Sequence, residues 1–522
     1  MWILYILVLI IVLLYQLSKR KFDYWDKKKV PYIKPLPILG NYGEYILMKT
    51  FVGKTVSKIC AKFPDEPYIG AFYGTEPTLI VQDPEVIKLI MTKDFYYFHG
   101  REVSNYTDRE PITKNIFFTH GDSWKVIRQN LTPLYTTAKM KNMFPLIEKC
   151  SRVFETLLEE ATVSDHIEVN NLMARFTMEC VGSCAFGVET KVMQKGYENN
   201  PYKIMGDQIF ARSTLRGMKN TCRAIWPYLF YGLGLQIYPQ AIRHFFVDLL
   251  IKVFQQRDNK PSARNDFVDL LLSLYKEEYL TGDSIISFKT GEPKKVSIKV
   301  DYDLLAGQCI SFLGAGYETA ATTLAMTLFE IAKNEEVQKK VFDEIDEYLD
   351  KHDNVLNYNI VTELPYLEAC TDEAMRLYPA VTNLTREVME DYTFPSGLHL
   401  EKGVRIHLPV YHIQRNPINF PNPEKFQPDR FMPEERKNIK PYTYMPFGEG
   451  HRICVGLRFA KMQMLAGLVT IFKSYRLQLA QGMPETVDFD PRVLIHSTKD
   501  DVNIKFIPRK DGRYFNKDIT LN

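Results

Sequence analysis

The stretch Phe447-Gly-Glu-Gly-His-Arg-Ile-Cys454-Val-Gly456 places one cysteine directly before a long apolar run that predicts a helix. A sulfur at the N-terminus of a helix, with Arg452 close by, lies in a field that favours the thiolate. The glycines let backbone N–H groups approach it. A soft, single thiolate suits haem iron, whereas structural zinc sites use paired ligands and only His451 lies within local spacing. The alternative is an ordinary buried cysteine.

This decapeptide resembles the haem-binding loop of the cytochrome P450 family, whose pattern is Phe-x-x-Gly-x-Arg-x-Cys-x-Gly, and every defining position matches. The resemblance implies a mainly α fold with small β-sheets, the cytochrome P450 fold. It also implies that the chain binds haem b through the thiolate of Cys454, which is the expected metal ligand. Phe447, Arg452 and Gly456 are then expected to contact the cofactor.

A second signature, Glu373-Ala-Met-Arg376, resembles the Glu-x-x-Arg pair of the family. Its spacing puts both side chains on one face of a helix, although such pairs are also common on solvated helices. In the family the pair joins a later arginine in a buried structural triad, and Arg430 in the stretch 426–431 supplies that arginine here. The resemblance therefore assigns these three residues to the folding of the haem pocket. Asp429 stands where the family more usually has Glu.

A mostly apolar stretch from Tyr302 to Ala332 would run roughly 45 Å if it were wholly helical. Glu318 and Thr319 interrupt its apolar character, and a carboxylate at mid-membrane depth is costly, so we predict a central buried helix rather than a membrane span. Within it, residues 315–319, Ala-Gly-Tyr-Glu-Thr, resemble the oxygen-activation motif of the family.

Splitting dioxygen consumes protons, which an acid and a hydroxyl beside the cofactor can deliver through ordered waters. Glu318 and Thr319 are therefore the predicted catalytic residues, and Ala315 and Gly316 would leave room for dioxygen and substrate. The alternative is that Thr319 only donates to the carbonyl of Ala315 while Glu318 pairs with a cation. Ala320 stands where relatives often carry a hydroxyl, so the proton route stays open.

A further match, Trp124-Lys-Val-Ile-Arg128, is similar to the Trp-x-x-x-Arg helix that lines the haem edge in the family. An indole N–H and a guanidinium at this spacing can both reach one propionate, and arginine suits a carboxylate because its donors form a planar fork. Arg386 falls where the family places another propionate-binding arginine. With Arg452, these residues would neutralise both propionates, since a buried carboxylate without partners is costly.

Residues 2–17 are almost wholly aliphatic, and a basic run follows at once. This pattern predicts an N-terminal transmembrane helix with the main body in the cytosol, because positive charges favour the cytosolic side. The rival is a cleaved secretory signal, but its basic n-region and cleavage site are missing. We therefore expect an anchor over residues 1–18, a basic and proline-rich linker over residues 19–45, and a single haem-binding catalytic domain over residues 46–522. The resemblance implies the endoplasmic reticulum membrane.

The resemblance as a whole implies a membrane-bound monooxygenase that takes electrons from NADPH through NADPH-cytochrome P450 reductase, with cytochrome b5 as a further partner. Its substrates would be lipophilic. The motifs look closest to arthropod detoxification members, so plant toxins or insecticides are the expected class. One alternative is the oxidation of a hormone, pheromone or fatty acid. Others are a haem-thiolate peroxide isomerase and a non-catalytic protein that sequesters lipophiles, and the retention of Glu318 and Thr319 speaks against both.

The formal net charge of +3 gives no case for nucleic-acid binding. Basic residues are better considered as local contacts for an acidic reductase near the cysteine loop, and the candidates are Lys125, Arg128, Arg458 and Lys461. Residues 287–299 are polar and predict an exposed loop before the central helix. Residues 225–238 are aromatic but broken by Pro and Gly, so we expect them to lie in the membrane interface, with a buried loop and helix as the alternative.

Overall fold

The computed structural model describes residues 21–262 and 266–513, together with Tyr5, Tyr15, Gln16 and Lys19. Helices dominate this part of the chain. Those of nine residues or more are α1 (Val52–Cys60), α2 (Gly121–Leu131), α3 (Thr137–Ala161), α4 (Val169–Val181), α5 (Pro201–Ile209), α6 (Thr214–Ile225), α7 (Gln240–Gln256), α8 (Phe267–Glu277), α9 (Tyr302–Ala332), α10 (Glu335–Lys351), α11 (Pro365–Leu377) and α12 (Leu457–Phe472). Shorter helices are Tyr24–Lys28, Gly43–Ile46, Pro84–Lys88, Pro227–Gly232, Ser287–Thr290, Ile360–Glu363, Val410–Ile413 and Pro433–Arg436.

The strands of the described residues are short and form small sheets. They are β1 (Tyr68–Tyr73), β2 (Glu76–Val81), β3 (Ile167–Glu168), β4 (Tyr279–Asp283), β5 (Lys295–Lys299), β6 (Leu384–Glu387), β7 (Tyr392–Thr393), β8 (His399–Leu400), β9 (Arg405–Leu408), β10 (Tyr475–Leu479) and β11 (Asn503–Pro508). The largest sheet has the order β1-β2-β9-β6, and a second sheet has the order β10-β11-β3. The pairs β4-β5 and β7-β8 stand alone. The expected mainly α architecture with small sheets is therefore confirmed.

The predicted central helix is α9, which begins after Asp301, whose carboxylate accepts from the backbone N–H of Leu304 at 2.7 Å. It packs against α4, where the hydroxyl of Thr177 donates to the carbonyl of Tyr317 at 3.0 Å. A Cβ atom at Gly316 would lie 2.8 Å from Val181. This glycine therefore serves the close approach of two helices, while the expectation that it leaves room for dioxygen stays a prediction.

Two apolar clusters share the central helix. The larger cluster joins α9 to α3, α4 and α12 through residues such as Phe154, Phe176 and Leu468. The second joins the first half of α9 to α7 and α8 through residues such as Phe246 and Leu271. Because α9 contributes to both clusters, it joins the helices of the first cluster to those of the second.

Residues 287–299, expected as an exposed loop, are mostly exposed as predicted, but residues 287–290 are helical and residues 295–299 form one strand of a hairpin. Strands β4 and β5 pair antiparallel, with Tyr279 opposite Lys299. Asp122 on α2 accepts from the hydroxyl of Ser284 and from the backbone N–H of Ile285, each at 2.7 Å. The strand was not predicted because the alternation of polar and apolar side chains over residues 295–299, which is a strand signal, lies in a stretch of polar composition.

The predicted anchor over residues 1–18 lies outside the described residues, apart from Tyr5, Tyr15 and Gln16. Among the residues that are described, none of the helices has the length and apolar character needed to cross a bilayer. Within the predicted linker, Trp25 is fully buried and its indole N–H donates to the carbonyl of Ala71 at 2.8 Å. This part of the linker is therefore held against the largest sheet.

Candidate functional site

The loop 447–456 folds tightly around the sulfur of Cys454. The backbone N–H of Cys454 donates to the carbonyl of Phe447 at 2.8 Å. Gly450 has a φ of +68°, and a Cβ atom there would lie 2.0 Å from the carbonyl oxygen of Met91. Only glycine fits this position, because it tolerates the left-handed backbone and has no side chain to collide with Met91. The glycine-rich motif is thus required by the shape of the loop.

The thiol of Cys454 is accessible although protein surrounds it. Cys454 is exposed, while the other cysteines of the described residues are buried or half-buried. Burial is nevertheless the largest influence on its thiol and raises its pKa, while the N–H of Gly456 and the charge of Arg128 act in the opposite direction. A side chain that is both accessible and deep in the protein lines an internal space, which we call the cysteine cavity.

The central helix passes close to this cavity. Ala315 is exposed although it lies in the middle of α9, most of whose residues are buried. Gln463 on α12, the helix that follows Cys454, donates to the carbonyl of Gly316 at 2.8 Å. One turn before Ala315, Phe312 stacks on Tyr135 at 5.6 Å between ring centres. The helix that carries the predicted oxygen-activation motif is therefore in direct contact with the helix that follows the predicted metal ligand.

Thr319 and Glu318 make the contacts of the alternative interpretation, in which the hydroxyl donates to a backbone carbonyl and the carboxylate pairs with a cation. The hydroxyl of Thr319 donates to the carbonyl of Ala315 at 2.6 Å. The Glu318 carboxylate lies 3.4 Å from the guanidinium of Arg212. Burial raises the pKa of Glu318, and the charge of Arg212 opposes this rise. The catalytic role of both residues stays a prediction. The contact of Thr319 does not contradict this role, because a hydroxyl that donates to a backbone carbonyl can still reorient.

A polar cavity of about 370 Å³ lies beside Glu318. Its wall carries charged side chains from three helices, including Arg175 on α4, Asp207 on α5 and Glu318 on α9, with Arg212 just after α5. A cavity of this volume with several polar groups has room for a number of waters. It can therefore connect the carboxyl of Glu318 to exchangeable protons.

Four arginines gather near the cysteine loop, where positive charge is costly. Burial lowers the pKa of Arg452 well below its usual range, and the charges of Arg101, Arg386 and Arg128 add to this effect. Burial and the charge of Arg101 lower the pKa of Arg386 to about 9. Among the described residues, the Nε atoms of Arg386 and Arg452 are buried without a hydrogen-bond partner. Mutually repelling buried cations of this kind call for an anion between them.

The directions of three of these arginines are fixed by backbone carbonyls. Arg452 donates to the carbonyl of Thr119 at 2.6 Å, and Arg386 donates to the carbonyl of Thr385 at 2.8 Å. Arg101 donates to the carbonyl of Phe117 at 2.6 Å. Each of these contacts uses only part of a guanidinium with five N–H donors. The remaining donors fit the two carboxylates of haem b, and the single thiolate fits its iron.

Arg101 is a site residue that sequence reasoning missed. It belongs to none of the recognised motifs, and the fold alone brings it beside Arg386 and Arg452. No local signal could have identified it, because its neighbours in the chain are unremarkable in spacing and type. Within the described residues, no three His, Cys, Asp or Glu side chains are grouped so as to hold a metal ion.

The predicted structural triad is confirmed. Glu373 and Arg376 are both fully buried, with 2.7 Å between Arg376 Nε and Glu373 Oε2 and 2.9 Å between Nη2 and Oε1. The Nε atom of Arg430 lies 3.5 Å from Glu373 Oε1. Arg376 also donates to the carbonyl of Gln414 at 2.9 Å. These contacts tie α11 to the segment that leads into the cysteine loop.

The prediction that Lys125 contacts the reductase is wrong, because this side chain is buried under the hairpin. Its ammonium donates to the carbonyl of Ser284 at 3.1 Å and to the hydroxyl of Ser287, and it lies 4.2 Å from the centre of the Phe288 ring. The hairpin thus covers α2 at this point. Lys461 is neutralised by an ion pair with Glu368.

Of the other two basic candidates, only one faces solvent. Arg128 is half-buried and its charge acts on the thiol of Cys454, so its place is at the cysteine cavity. Arg458 is exposed, and its guanidinium donates to the carbonyl of Tyr135 at 3.2 Å. Of the four candidates, Arg458 is therefore the one that is exposed to solvent beside the loop.

Comparison with known proteins gives matches over nearly the whole chain. The family model described as Cytochrome P450 matches residues 30–504. Cytochrome P450 6B7 of Helicoverpa armigera is 32% identical over 517 residues, which cover 98% of this chain and 99% of that protein. Cytochrome P450 6j1 of Blattella germanica is 31% identical, covering 93% of this chain and 94% of that protein. Probable cytochrome P450 6a14 of Drosophila melanogaster is 31% identical, covering 94% and 97%.

Proposed function

This chain belongs to the cytochrome P450 family, and we propose that it works at the endoplasmic reticulum membrane on lipophilic foreign compounds such as plant toxins or insecticides. As a member of the family it is a monooxygenase, an oxidoreductase whose cofactor is haem b with a cysteine thiolate as axial ligand. The haem supplies the binding and activation of dioxygen. NADPH-cytochrome P450 reductase would deliver the electrons, and the catalytic domain would lie on the cytosolic side of the membrane.

The strongest support for this cofactor site is the group of buried arginines beside an accessible thiol. We assign Cys454 as the iron ligand, with Phe447 and Gly456 shaping the loop around it. Arg452 and Arg386 would bind the propionates. The assignment of both fits their unpartnered Nε atoms, since a carboxylate would satisfy these donors and offset the repulsion between the guanidiniums.

Three further side chains would complete the propionate site. Trp124 and Arg128 come from α2, as the sequence motif predicts, and Arg101 comes from the segment before it. The ring of Trp124 lies 4.6 Å from the guanidinium carbon of Arg452, so the two would act as one unit.

Glu318 and Thr319 are proposed to move protons. Burial favours the protonated form of Glu318, which is the form that can donate, and the polar cavity beside it offers a route for replacement protons. Thr319, one residue further along α9, can accept a proton and pass one on through its hydroxyl once it turns from the carbonyl of Ala315.

Membrane contact is proposed through the segment after α6. Tyr228 is 80% exposed, Leu229 50% and Leu233 66%, and Leu215 and Met218 on α6 are also exposed. A cluster of exposed large apolar side chains marks an interaction surface, and lipid is the partner expected for a chain with an N-terminal apolar run. The same contact would bring lipophilic substrates from the bilayer to the protein.

The decisive experiment supplies the haem-loaded protein with reductase, NADPH and ¹⁸O₂ and searches for labelled products of lipophilic compounds by mass spectrometry. Label in a product supports monooxygenation and begins to name the substrate. Glu318→Gln is the matched variant and should give less label at equal haem content. An unlabelled rearrangement product from a peroxide substrate, formed without reductase, would instead favour the isomerase. Binding without any product would favour sequestration.

A further inference from the structure

The hairpin, which we define as residues 279–299, is fastened to α2 at two points. Near the C-terminal end of α2, the amide of Gln129 accepts from the backbone N–H of Asp283 at 2.7 Å and donates to its carboxylate at 2.8 Å. A Cβ atom at Gly282 would lie 2.6 Å from the side-chain oxygen of Gln129, so the strand lies directly on the helix. In the first turn of α2, Asp122 accepts two hydrogen bonds from the hairpin. The hairpin is therefore held along most of α2.

Between these two points the hairpin covers Lys125, which is 7% exposed. The ammonium of Lys125 donates to the carbonyl of Ser284 at 3.1 Å and to the hydroxyl of Ser287. It also lies 4.2 Å from the centre of the Phe288 ring, a distance at which an aromatic face attracts a cation. Each of these contacts uses a donor or a positive charge, so together they favour the protonated form of the side chain.

The charge of Lys125 is compensated only in part. Its direct contacts are to neutral groups. Burial lowers the pKa of Lys125, and the charges of Asp283 and Asp122 act in the opposite direction from a greater distance. The carboxylate of Asp283 is itself paired with Lys295 at 2.8 Å. A buried charge with neutral partners acts over a long range, because neither water nor a direct counter-ion screens it.

The ring that contacts Lys125 also contacts the cysteine loop. The centre of the Phe288 ring lies 4.4 Å from the centre of the His451 ring. His451 precedes Cys454 by three residues. Burial lowers the pKa of His451, and the charge of Lys125 adds to this effect. The positive charge under the hairpin therefore acts on the loop that carries the predicted iron ligand.

We propose that the hairpin holds the ammonium of Lys125 buried beside the cysteine loop, where its positive charge raises the reduction potential of the bound haem. The inference rests on the proposed placement of the haem iron at Cys454. Reduction adds one electron to the site, with no bond formed or broken, and a fixed buried cation favours the state with the additional negative charge. A lysine with a purely structural role would change the stability of the protein and leave this potential unaltered.

The test is a spectroelectrochemical titration of the haem-loaded full chain with dithionite, without substrate, reductase or dioxygen. Lys125→Met removes the charge and keeps the length of the side chain. At a fixed applied potential we expect the ratio of ferrous to ferric haem to fall about threefold or more, which is a shift of about 28 mV because tenfold corresponds to 59 mV for one electron. Lys125→Arg keeps the charge and should keep the potential. An unchanged potential in Lys125→Met, or an equal fall in Lys125→Arg, would overturn the proposal.

A second pair of variants leaves Lys125 in place. Ser287→Asp puts a carboxylate beside the ammonium, while Ser287→Asn puts a neutral side chain of the same size there. The carboxylate should offset the positive charge, so the ratio of ferrous to ferric haem should be about twofold lower or more in Ser287→Asp than in Ser287→Asn. Equal potentials in the two variants would reject the proposal. This pair decides the question if Lys125→Met does not yield haem-loaded protein.

Lys473→Met is the matched control. Lys473 is also buried and forms an ion pair with Glu155, but it follows the last residue of α12, whose 16 residues separate it from the cysteine loop by about 24 Å. Its variant should lose stability and keep the potential, and a fall as large as that of Lys125→Met would overturn the proposal. A thiolate-type spectrum of the ferrous carbon monoxide complex in Cys454→Ser would instead reject the placement of the haem, so the two failures are distinguishable.

Discussion

The guanidinium carbon of Arg452 lies 4.6 Å from the centre of the Trp124 ring, so a residue of the cysteine loop rests on a residue of α2. Trp124 is 2% exposed and packs on Phe95 at 5.2 Å between ring centres. The contact joins two segments more than three hundred residues apart through a cation and an aromatic face. The geometry of the cofactor site is thus partly formed by the protein alone, while the surplus positive charge there remains for an anion to neutralise.

Because of this surplus positive charge, we expect Arg386→Met to stabilise the cofactor-free protein and to destabilise the haem-loaded protein. In the cofactor-free protein the variant removes a buried guanidinium whose pKa is lowered to about 9, so the free energy of unfolding should rise by about 1–3 kcal/mol. In the haem-loaded protein it would remove the proposed partner of a propionate, and the free energy of unfolding should then fall by about 3–5 kcal/mol. Denaturant unfolding of both forms measures the two effects.

The control for this pair of measurements is Arg509→Met. Arg509 is half-buried, its side chain is 6% exposed, and it is paired with Asp346, remote from the cysteine loop. Its replacement should destabilise both forms to a similar extent. If Arg386→Met destabilises the cofactor-free protein as well, the idea that the arginines repel one another without an anion is wrong.

The two glycines of the loop predict different costs for the same substitution. Gly448 and Gly450 both have positive φ, at +72° and +68°, but a Cβ atom at Gly448 meets nothing closer than 3.9 Å. Gly448→Ala should therefore cost only the backbone strain, about 1–2 kcal/mol. Gly450→Ala adds a collision with Met91 and should lose most of its haem. Haem content per protein, read with the unfolding midpoint, separates the two, and equal haem loss in both variants would contradict the role given to Met91.

The sequence predicted those parts of the site that are encoded in short patterns. Cys454, Arg452 and the Glu373–Arg376 pair each lie in a motif whose spacing is set by one loop or one helix. Arg101 could not be found in this way, because its role depends on contacts with residues far along the chain. The same holds for Lys125, whose basic character predicted a surface position until the hairpin was seen to cover it.

His407 predicts a loss of stability in acid. Burial, with a smaller effect of Arg405, lowers its pKa from 6.5 to about 3. Between these values the unfolded chain binds a proton that the folded protein does not, so the free energy of unfolding falls as the pH falls, by up to about 1.4 kcal/mol per pH unit. Above pH 6.5 the effect is absent. His407→Gln, which keeps a polar partner for Tyr42, should lower the slope in this window.

The measurement is the free energy of unfolding at several pH values between 4 and 7. Buried His99, whose pKa is lowered to about 4 mainly by burial, should contribute to the same loss, so the slope of His407→Gln falls without vanishing. An unchanged slope in His407→Gln would show that its imidazole is not held neutral.

Arg212 predicts a shift in the pH dependence of turnover. Its guanidinium lies 3.4 Å from Glu318 and opposes the rise in the pKa of that carboxyl caused by burial. Removing the positive charge in Arg212→Met destabilises the carboxylate, so the pKa of Glu318 rises further and its protonated form persists to higher pH. If Glu318 donates protons, the high-pH limb of the turnover profile should move to higher pH, and Glu318→Gln should lower turnover about 100-fold at equal haem content.

Arg175→Met is the control, because Arg175 lines the same polar cavity but donates to the carbonyl of Val192. A profile that moves equally in both arginine variants would trace the shift to the cavity as a whole, and one that moves in neither would remove Glu318 from the proton route.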